Sequence, residues 1–182
     1  LARTKIKFLS SIEKGRSSIY IITTGTPIIK PSLRPNTRYA LEAVAGIARI
    51  VDSGDMVILR STVPNGFCKE EVVPLIEKES GLRGGKGILL AYAPERTSEG
   101  QALSELRKNP QIIGGFDERS TELASRLFNC LTHSVIDVGS LEAAEMCKLL
   151  DNSFRDHIFA YINQMAPLAE ALGLDLYKIV DA

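Results

Sequence analysis

The chain has 182 residues, 45% of them hydrophobic, and 22 basic side chains balanced by 22 acidic ones. That is enough for a real core in one domain or one and a half. The balanced charge, with no basic run or aromatic-interleaved patch, excludes a surface built to wrap nucleic acid. No apolar stretch approaches the ~20 residues needed to span a bilayer and the first residues form no signal peptide, so no membrane partner is expected and the compartment expected is the cytoplasm.

In chain order, Ile6-Lys7-Phe8 reads as a short strand reached almost at once from Leu1, which suggests a piece of a longer protein. Residues 10–14 read as a short helix stopped by Gly15. Residues 19–24 (IYIITT) form the first strong strand, β-branched and nearly all apolar, as expected when both faces of a sheet are covered. A Pro-rich loop, 27–35, leads to a helix from Asn36 to about Asp52, with Tyr39, Leu41, Val44, Ile47, Ala48 and Val51 at helical spacing. Residues 56–60 (MVILR) make a second strand, and a further helix starts or breaks near Pro74. The Gly-rich stretch 81–87 precedes a strand instead of linking strand to helix, so it reads as a surface loop and not a phosphate cradle.

Residues 88–92 (ILLAY) have the length and apolarity of a buried strand, and Pro94 must end it. Glu95 and Glu99 follow four apart, on one face if the segment turns helical. Ala102–Leu106 and Glu118–Cys130 read as helices, Gln111–Gly114 with Gly115 after it and Val135–Val138 as strands. Alternating strands and helices give an α/β fold with a parallel sheet. Three of its strands end in polar loops: Gly25-Thr26-Pro27, the stretch 61–66 (STVPNG), and Pro94-Glu95-Arg96. Ligands of such sheets bind outside the carboxyl ends of the strands, so Thr26, Thr62, Glu95 and Glu99 are expected around one cleft. The threonines read equally well as strand-end hydroxyls that satisfy backbone groups.

At Ser140 the alternation ends. Residues 141–172 hold one Pro and no Gly, which predicts a long helix capped by Ser140, stopped by Gly173, and kinked or broken at Pro167. This marks a boundary between residues 1–139 and 140–182. Glu145, Lys148 and Asn152 share one stripe of the helix. Spacing alone makes that stripe a solvated, salt-bridged face, but Ala143, Ala144, Met146, Leu149 and Leu150 around it favour burial, where a lysine needs a partner. Cys68, Cys130 and Cys147 are odd in number and widely separated, which predicts reduced thiols and neither a disulfide framework nor a metal site. Cys68 lies where a helix start could acidify a thiol, but a lone cysteine reads first as a small buried hydrophobe, and His133 and His157 read as structural.

Taken together, Thr24-Gly25-Thr26-Pro27, the 61–66 loop, Pro94-Glu95-Arg96 with Glu99-Gly100, Ile112-Ile113-Gly114-Gly115, and Ala144-Glu145 with Lys148 and Asn152 resemble the UDP-glucose/GDP-mannose dehydrogenase family in order and spacing. The wording of 93–103 (APERTSEGQAL) and the run 152–156 (NSFRD) are most similar to the members acting on UDP-N-acetylated hexosamines. The resemblance implies the later part of a Rossmann-like doubly wound parallel sheet, a partial NAD-binding domain lacking its first strands, followed by the start of a central helical dimerisation domain. It implies two successive NAD-dependent oxidations at C6 of a nucleotide sugar, alcohol to aldehyde to acid, through a cysteine thiohemiacetal and thioester. In that scheme Thr26 lines the NAD site, Thr62 touches NAD and positions water, Glu95 is the base for thioester hydrolysis, and Glu99 lies between substrate and cofactor. Arg96 contacts substrate, while Lys148 and Asn152 flank the reacting C6.

The sequence departs from the family pattern in three places. No G-x-G-x-x-G turn precedes Ile19, the family's nucleophilic cysteine belongs to a later segment that Cys68 only imitates, and Asn163-Gln164 stands where Asn-Glu is common. The resemblance therefore also implies that this chain is inactive alone, and that the helix pairs two copies through Phe154, Ile158, Tyr161, Ile162, Met165 and Leu168. The alternatives are a hydroxyacid-type NAD(P) dehydrogenase, which would not need the Pro-Glu-Arg loop, and a non-catalytic dimerisation piece.

Overall fold

The computed structural model describes residues 7–98 and 100–182. The strand expected at 6–8 begins on a residue outside that set, and Lys7 and Phe8 are not strand. Residues 10–14 form no helix either; five residues without a packed face cannot offset the cost of nucleating one.

The chain runs β1 (Ile19–Ile22), a small antiparallel hairpin β2 (Ile28–Ile29) and β3 (Arg34–Pro35), α1 (Arg38–Ala48), and β4 (Met56–Leu59). A π-helical turn, Cys68–Val72, then leads into α2 (Val73–Ser80), with Pro74 in its first turn. β5 (Leu89–Tyr92), α3 (Ala102–Lys108), β6 (Gln111–Gly115), α4 (Glu118–Asn129) and β7 (Val135–Asp137) follow. α5 (Leu141–Ala171) and α6 (Leu176–Asp181) complete the chain. Among the described residues no helix is long and apolar enough to cross a membrane.

Among the described residues five strands form one sheet in the order β1-β4-β5-β6-β7. β1, β4 and β5 are parallel and in step, with Ile22, Leu59 and Tyr92 side by side, so their carboxyl ends lie level along one edge. Side chains of β4 and β5 alternate between two buried faces, whereas Ile19 and Ile21 leave one face of β1 exposed, so the double coverage expected of that strand is not met. Tyr20, Ile22, Val57, Leu59, Leu90 and Tyr92 pack with α1, α2 and the start of α5, while Met56, Ile58, Leu89, Ala91 and Ile113 pack with α4 through Ala124 and Phe128. Double coverage is why β4 and β5 read as unbroken apolar runs.

The sheet is not wholly parallel. β6 runs antiparallel to β5, with Tyr92 opposite Gly114, and β7 runs parallel to β6. A parallel return requires a crossover helix packed on the sheet, and α3 buries no residue at all. The chain therefore turns back at the edge where β5 ends, so β6 begins beside the loops that leave β1, β4 and β5.

β6 also explains the Gly-Gly pair. A Cβ on Gly114 would sit 1.9 Å from the Ser140 carbonyl oxygen, and one on Gly115 would sit 2.3 Å from Thr121 Oγ1. These glycines let the starts of α5 and α4 lie directly on the strand. α5 is capped by Ser140, whose side chain accepts from the Ala143 amide, and it continues past Pro167 without a break. The four residues beyond the proline are closed by the amides of Leu172, Gly173 and Leu174, which donate to Leu168, Glu170 and Ala169. The loss of one amide is thus confined to the last turn and a half.

Candidate active site

The loops after β1 and β4 are joined by hydroxyls. Ser61 Oγ donates to the Thr24 carbonyl at 2.6 Å, Thr24 and Ser61 hydroxyls lie 3.3 Å apart, and Thr26 Oγ1 donates to the Thr62 carbonyl at 2.6 Å. From below, the buried Tyr92 hydroxyl donates to the Ser61 carbonyl at 3.0 Å, and burial pushes that phenol's pKa up, so it stays a donor. The reading of Thr26 as a hydroxyl that satisfies backbone thus holds alongside its place in the site. These loops and the residue after Pro94 enclose a cleft of about 300 Å³ lined by Thr23, Thr24, Gly25, Thr26, Arg60, Ser61, Thr62 and Glu95.

The segment after Pro94 stays irregular through Ser98, and Glu99 lies outside the described residues. Glu95 accepts from the Thr97 amide. Burial alone would raise its pKa; the Thr97 hydrogen bonds and the cations of Lys148 and Arg60 outweigh it and hold the carboxyl below the usual range. Glu95 is therefore an anion at neutral pH.

α5 reaches this site through its buried stripe. Glu145 is 0% exposed and accepts from the Gly66 amide at 2.6 Å and the Cys68 amide at 2.8 Å. The carboxylate fills the amino end of the helical segment that begins at Cys68, where unpaired amides favour an anion. Asn65 Nδ2 adds a bond to the Glu142 carbonyl, 2.6 Å, and Lys69 an exposed ion pair with Glu142, 2.8 Å. Lys148, one turn further on, is 7% exposed; burial pulls its pKa down, opposed by Glu95 and Asp151. The solvated salt-bridge reading of the stripe therefore fails for Glu145 and Lys148.

Arg96 reaches across to α5, with Nη2 3.2 Å from Asp151 Oδ1, and its buried Nε has no partner among the described residues. Asn152 is half-buried, and its Oδ1 accepts from Arg155 at 3.1 Å instead of from a residue of the cleft. The structure thus gathers Thr26, Thr62 and Glu95 in one cleft, with Lys148 acting on Glu95 and Arg96 tying the loop to α5. Cys68 is fully buried, and burial together with Glu145 pushes its thiol pKa far up, which removes it as a nucleophile.

Arg60 and Gln111 were not singled out as site residues in the sequence. Arg60 Nη1 donates to Gln111 Oε1 at 3.0 Å, and Gln111 Nε2 donates to the carbonyls of Pro94 at 3.0 Å and Ile112 at 2.8 Å. The available signal was a charged residue closing an otherwise apolar strand just before Ser-Thr.

Residues 1–132 match the model of the UDP-glucose/GDP-mannose dehydrogenase family NAD binding domain, and residues 142–182 match that of the same family's central domain. The chain belongs to the UDP-glucose/GDP-mannose dehydrogenase family. It is 35% identical over 183 aligned positions to the UDP-N-acetyl-D-mannosamine dehydrogenase of Pyrococcus horikoshii, covering 100% of this chain and 43% of that relative. It is 29% identical to the UDP-N-acetyl-D-glucosamine 6-dehydrogenase of Pseudomonas aeruginosa, covering 92% of this chain and 40% of that one. Among solved structures, the Pyrococcus horikoshii UDP-D-ManNAc dehydrogenase superposes with a TM-score of 0.85 at 34% identity, over 92% of this chain and 39% of that one. A ternary complex of Pseudomonas aeruginosa GDP-mannose dehydrogenase gives 0.83 at 26% identity, over 91% and 38%. This family member therefore spans about two fifths of the relatives it matches.

Proposed function

We propose that the chain forms part of an NAD-dependent nucleotide-sugar 6-dehydrogenase that oxidises the C6 alcohol of a UDP-sugar, a UDP-N-acetylhexosamine, to the uronic acid in the cytoplasm. Residues 1–139 contribute to the cofactor domain, residues 140–182 begin the central helical domain, and two copies pair through α5. The observation that carries this reading is the hydroxyl-lined cleft at the carboxyl ends of β1 and β4, with an ionised Glu95 at its rim and a buried Lys148 beside it.

The cleft fits one end of NAD. Its walls are mostly hydroxyls on loops zipped together by hydrogen bonds, which suits ribose hydroxyls and a carboxamide, with the charges of Arg60 and Glu95 at one side, and its volume admits part of a dinucleotide but not all of it. Thr26 and Thr62 would hold that end, with Glu99 between cofactor and substrate. Bound NAD supplies the hydride acceptor. Glu95, kept ionised, takes a proton from the water that hydrolyses the acyl intermediate. Lys148 would face the oxygen that gains charge and, being buried, would have little water to reorganise in stabilising it; Asn152 would add an amide donor and Arg96 a contact to the sugar.

The test is NADH formation by the intact gene product with UDP-N-acetylhexosamines. Turnover is expected, and Lys148→Ala should lower kcat by roughly 10²–10³ with a smaller effect on substrate binding. Unchanged turnover in Lys148→Ala removes that residue from the chemistry, and turnover of simple hydroxyacids in place of nucleotide sugars overturns the reading. The 182-residue chain alone should give no steady turnover. Turnover by it that is lost in Cys68→Ser would make Cys68 the nucleophile.

A further inference from the structure

Arg60 stands where β4 ends, at the centre of the parallel strands, and its backbone is fixed on both sides. Its amide donates to the Ile22 carbonyl at 2.9 Å, and its carbonyl faces the Glu95 amide at 3.5 Å. The guanidinium is half-buried and held twice more. Gln111 accepts from Nη1 at one edge, and the Phe128 ring of α4 lies under the plane, 5.0 Å from the guanidinium carbon. Among the described residues no carboxylate lies within ion-pairing distance of it, although it lines the same cleft as Glu95.

A half-buried cation fixed on an aromatic face and a buried amide, without a carboxylate in contact among the described residues, is held there by those two contacts and not by an ion pair with any of them. Gln111 is itself buried and uses its carbonyl and its amide nitrogen, and one of its bonds goes to the Pro94 carbonyl, the residue that launches the Glu95 loop. The guanidinium and the loop therefore share a single rigid anchor in β6. We propose that Arg60 is a positioning residue: a guanidinium locked by Gln111 and Phe128 at the end of β4 that presents a fixed positive charge to the Glu95 side chain in the cleft.

Several other charges bear on Glu95. Lys148 approaches from α5, and Arg96 lies on the same loop but is engaged by Asp151 of α5. Glu105 of α3 accepts from the Ser98 amide of that loop. Lys148 duplicates the sign of Arg60 but is carried by α5, whereas Arg60 belongs to the sheet and holds its place relative to the loop through Gln111. Burial lowers the pKa of Arg60 and Glu95 raises it, which is the reciprocal of its effect on Glu95. Arginine nevertheless stays protonated at every relevant pH, so its charge is permanent.

This inference deepens the role proposed for Glu95. Its test reads ionisation directly, so it stands or falls whether or not Glu95 acts as a base. The 182-residue chain labelled with ¹³C at glutamate carboxyls is titrated by NMR, with Glu95 assigned by its loss in Glu95→Gln. Arg60→Gln should shift the Glu95 midpoint upward, the direction expected on losing a nearby opposite charge, while Arg60→Lys should leave it closer to that of the parent. A midpoint unchanged in a folded Arg60→Gln overturns the proposal. So does an equal rise in Arg60→Lys, because the cause would then be disruption and not charge. Gln111→Leu keeps the charge but frees the guanidinium, and it decides the matter if Arg60→Gln does not fold: a smaller upward shift supports the lock, and no shift overturns it.

Discussion

Replacing Glu145 probes the join between α5 and the 61–66 loop. In Glu145→Ala the amides of Gly66 and Cys68, both buried, lose their acceptor, and each unsatisfied buried donor costs about 1–3 kcal/mol. Relief of the carboxylate's own desolvation offsets part of this, and the vacated side-chain volume adds to it, so a net loss of about 2–4 kcal/mol is expected. Urea unfolding at pH 7 should show a lower midpoint with an unchanged slope. Glu145→Gln preserves the volume and supplies pH information. Burial holds the Glu145 pKa above its ordinary value of 4.5, so the native state binds a proton more tightly than the unfolded chain. The stability contributed by that proton is fully present below 4.5 and is lost as pH rises through the folded value. The parent chain should therefore lose ground to Glu145→Gln as pH rises through that window. A Glu145→Ala variant within about 0.5 kcal/mol of the parent, the scatter of ordinary surface substitutions, would refute the idea that this carboxylate fastens α5 to the loop.

Gly114→Ala places a methyl group 1.9 Å from the Ser140 carbonyl oxygen. It should destabilise by about 3 kcal/mol or more, the upper range for overpacking, measured by thermal unfolding; a neutral result would mean that α5 moves freely on β6. Cys68 should resist alkylation in the folded chain at neutral pH and react on unfolding, while exposed Cys130 reacts in both states, as mass mapping after iodoacetamide would show. Pairing through α5 should appear in sedimentation as a dimer. Phe154, Phe159 and Leu168 are 68%, 60% and 56% exposed on one chain, and a clean monomer at high concentration counts against that pairing.

What the sequence made legible were features fixed by local chemistry. Strands β1, β4 and β5 announced themselves by β-branched and apolar runs ended by Thr, Ser and Pro, and their level ends placed Thr26, Thr62 and Glu95 together. Direction was less legible, because whether β6 returns parallel depends on α3 packing against the sheet. The segment ALSELRK has too narrow an apolar stripe to do so; Leu103 is exposed. Pro167 was overread, since a proline so near a helix end removes one amide and leaves little helix beyond it to redirect.

The helix stripe shows why burial is harder to read than spacing. Spacing put Glu145 and Lys148 on one face, and the same spacing describes a solvated ion-pair ladder. What separates the two cases is a partner 77 to 79 residues away, the amides of Gly66 and Cys68, and no local pattern on α5 encodes it. Once Glu145 is seated on those amides, Lys148 follows by geometry: one turn along the same face carries it to the rim where Glu95 stands. The carboxylate that reads as a surface residue thereby sets where the lysine's charge is delivered, and Arg60, fixed from the sheet side, delivers the second.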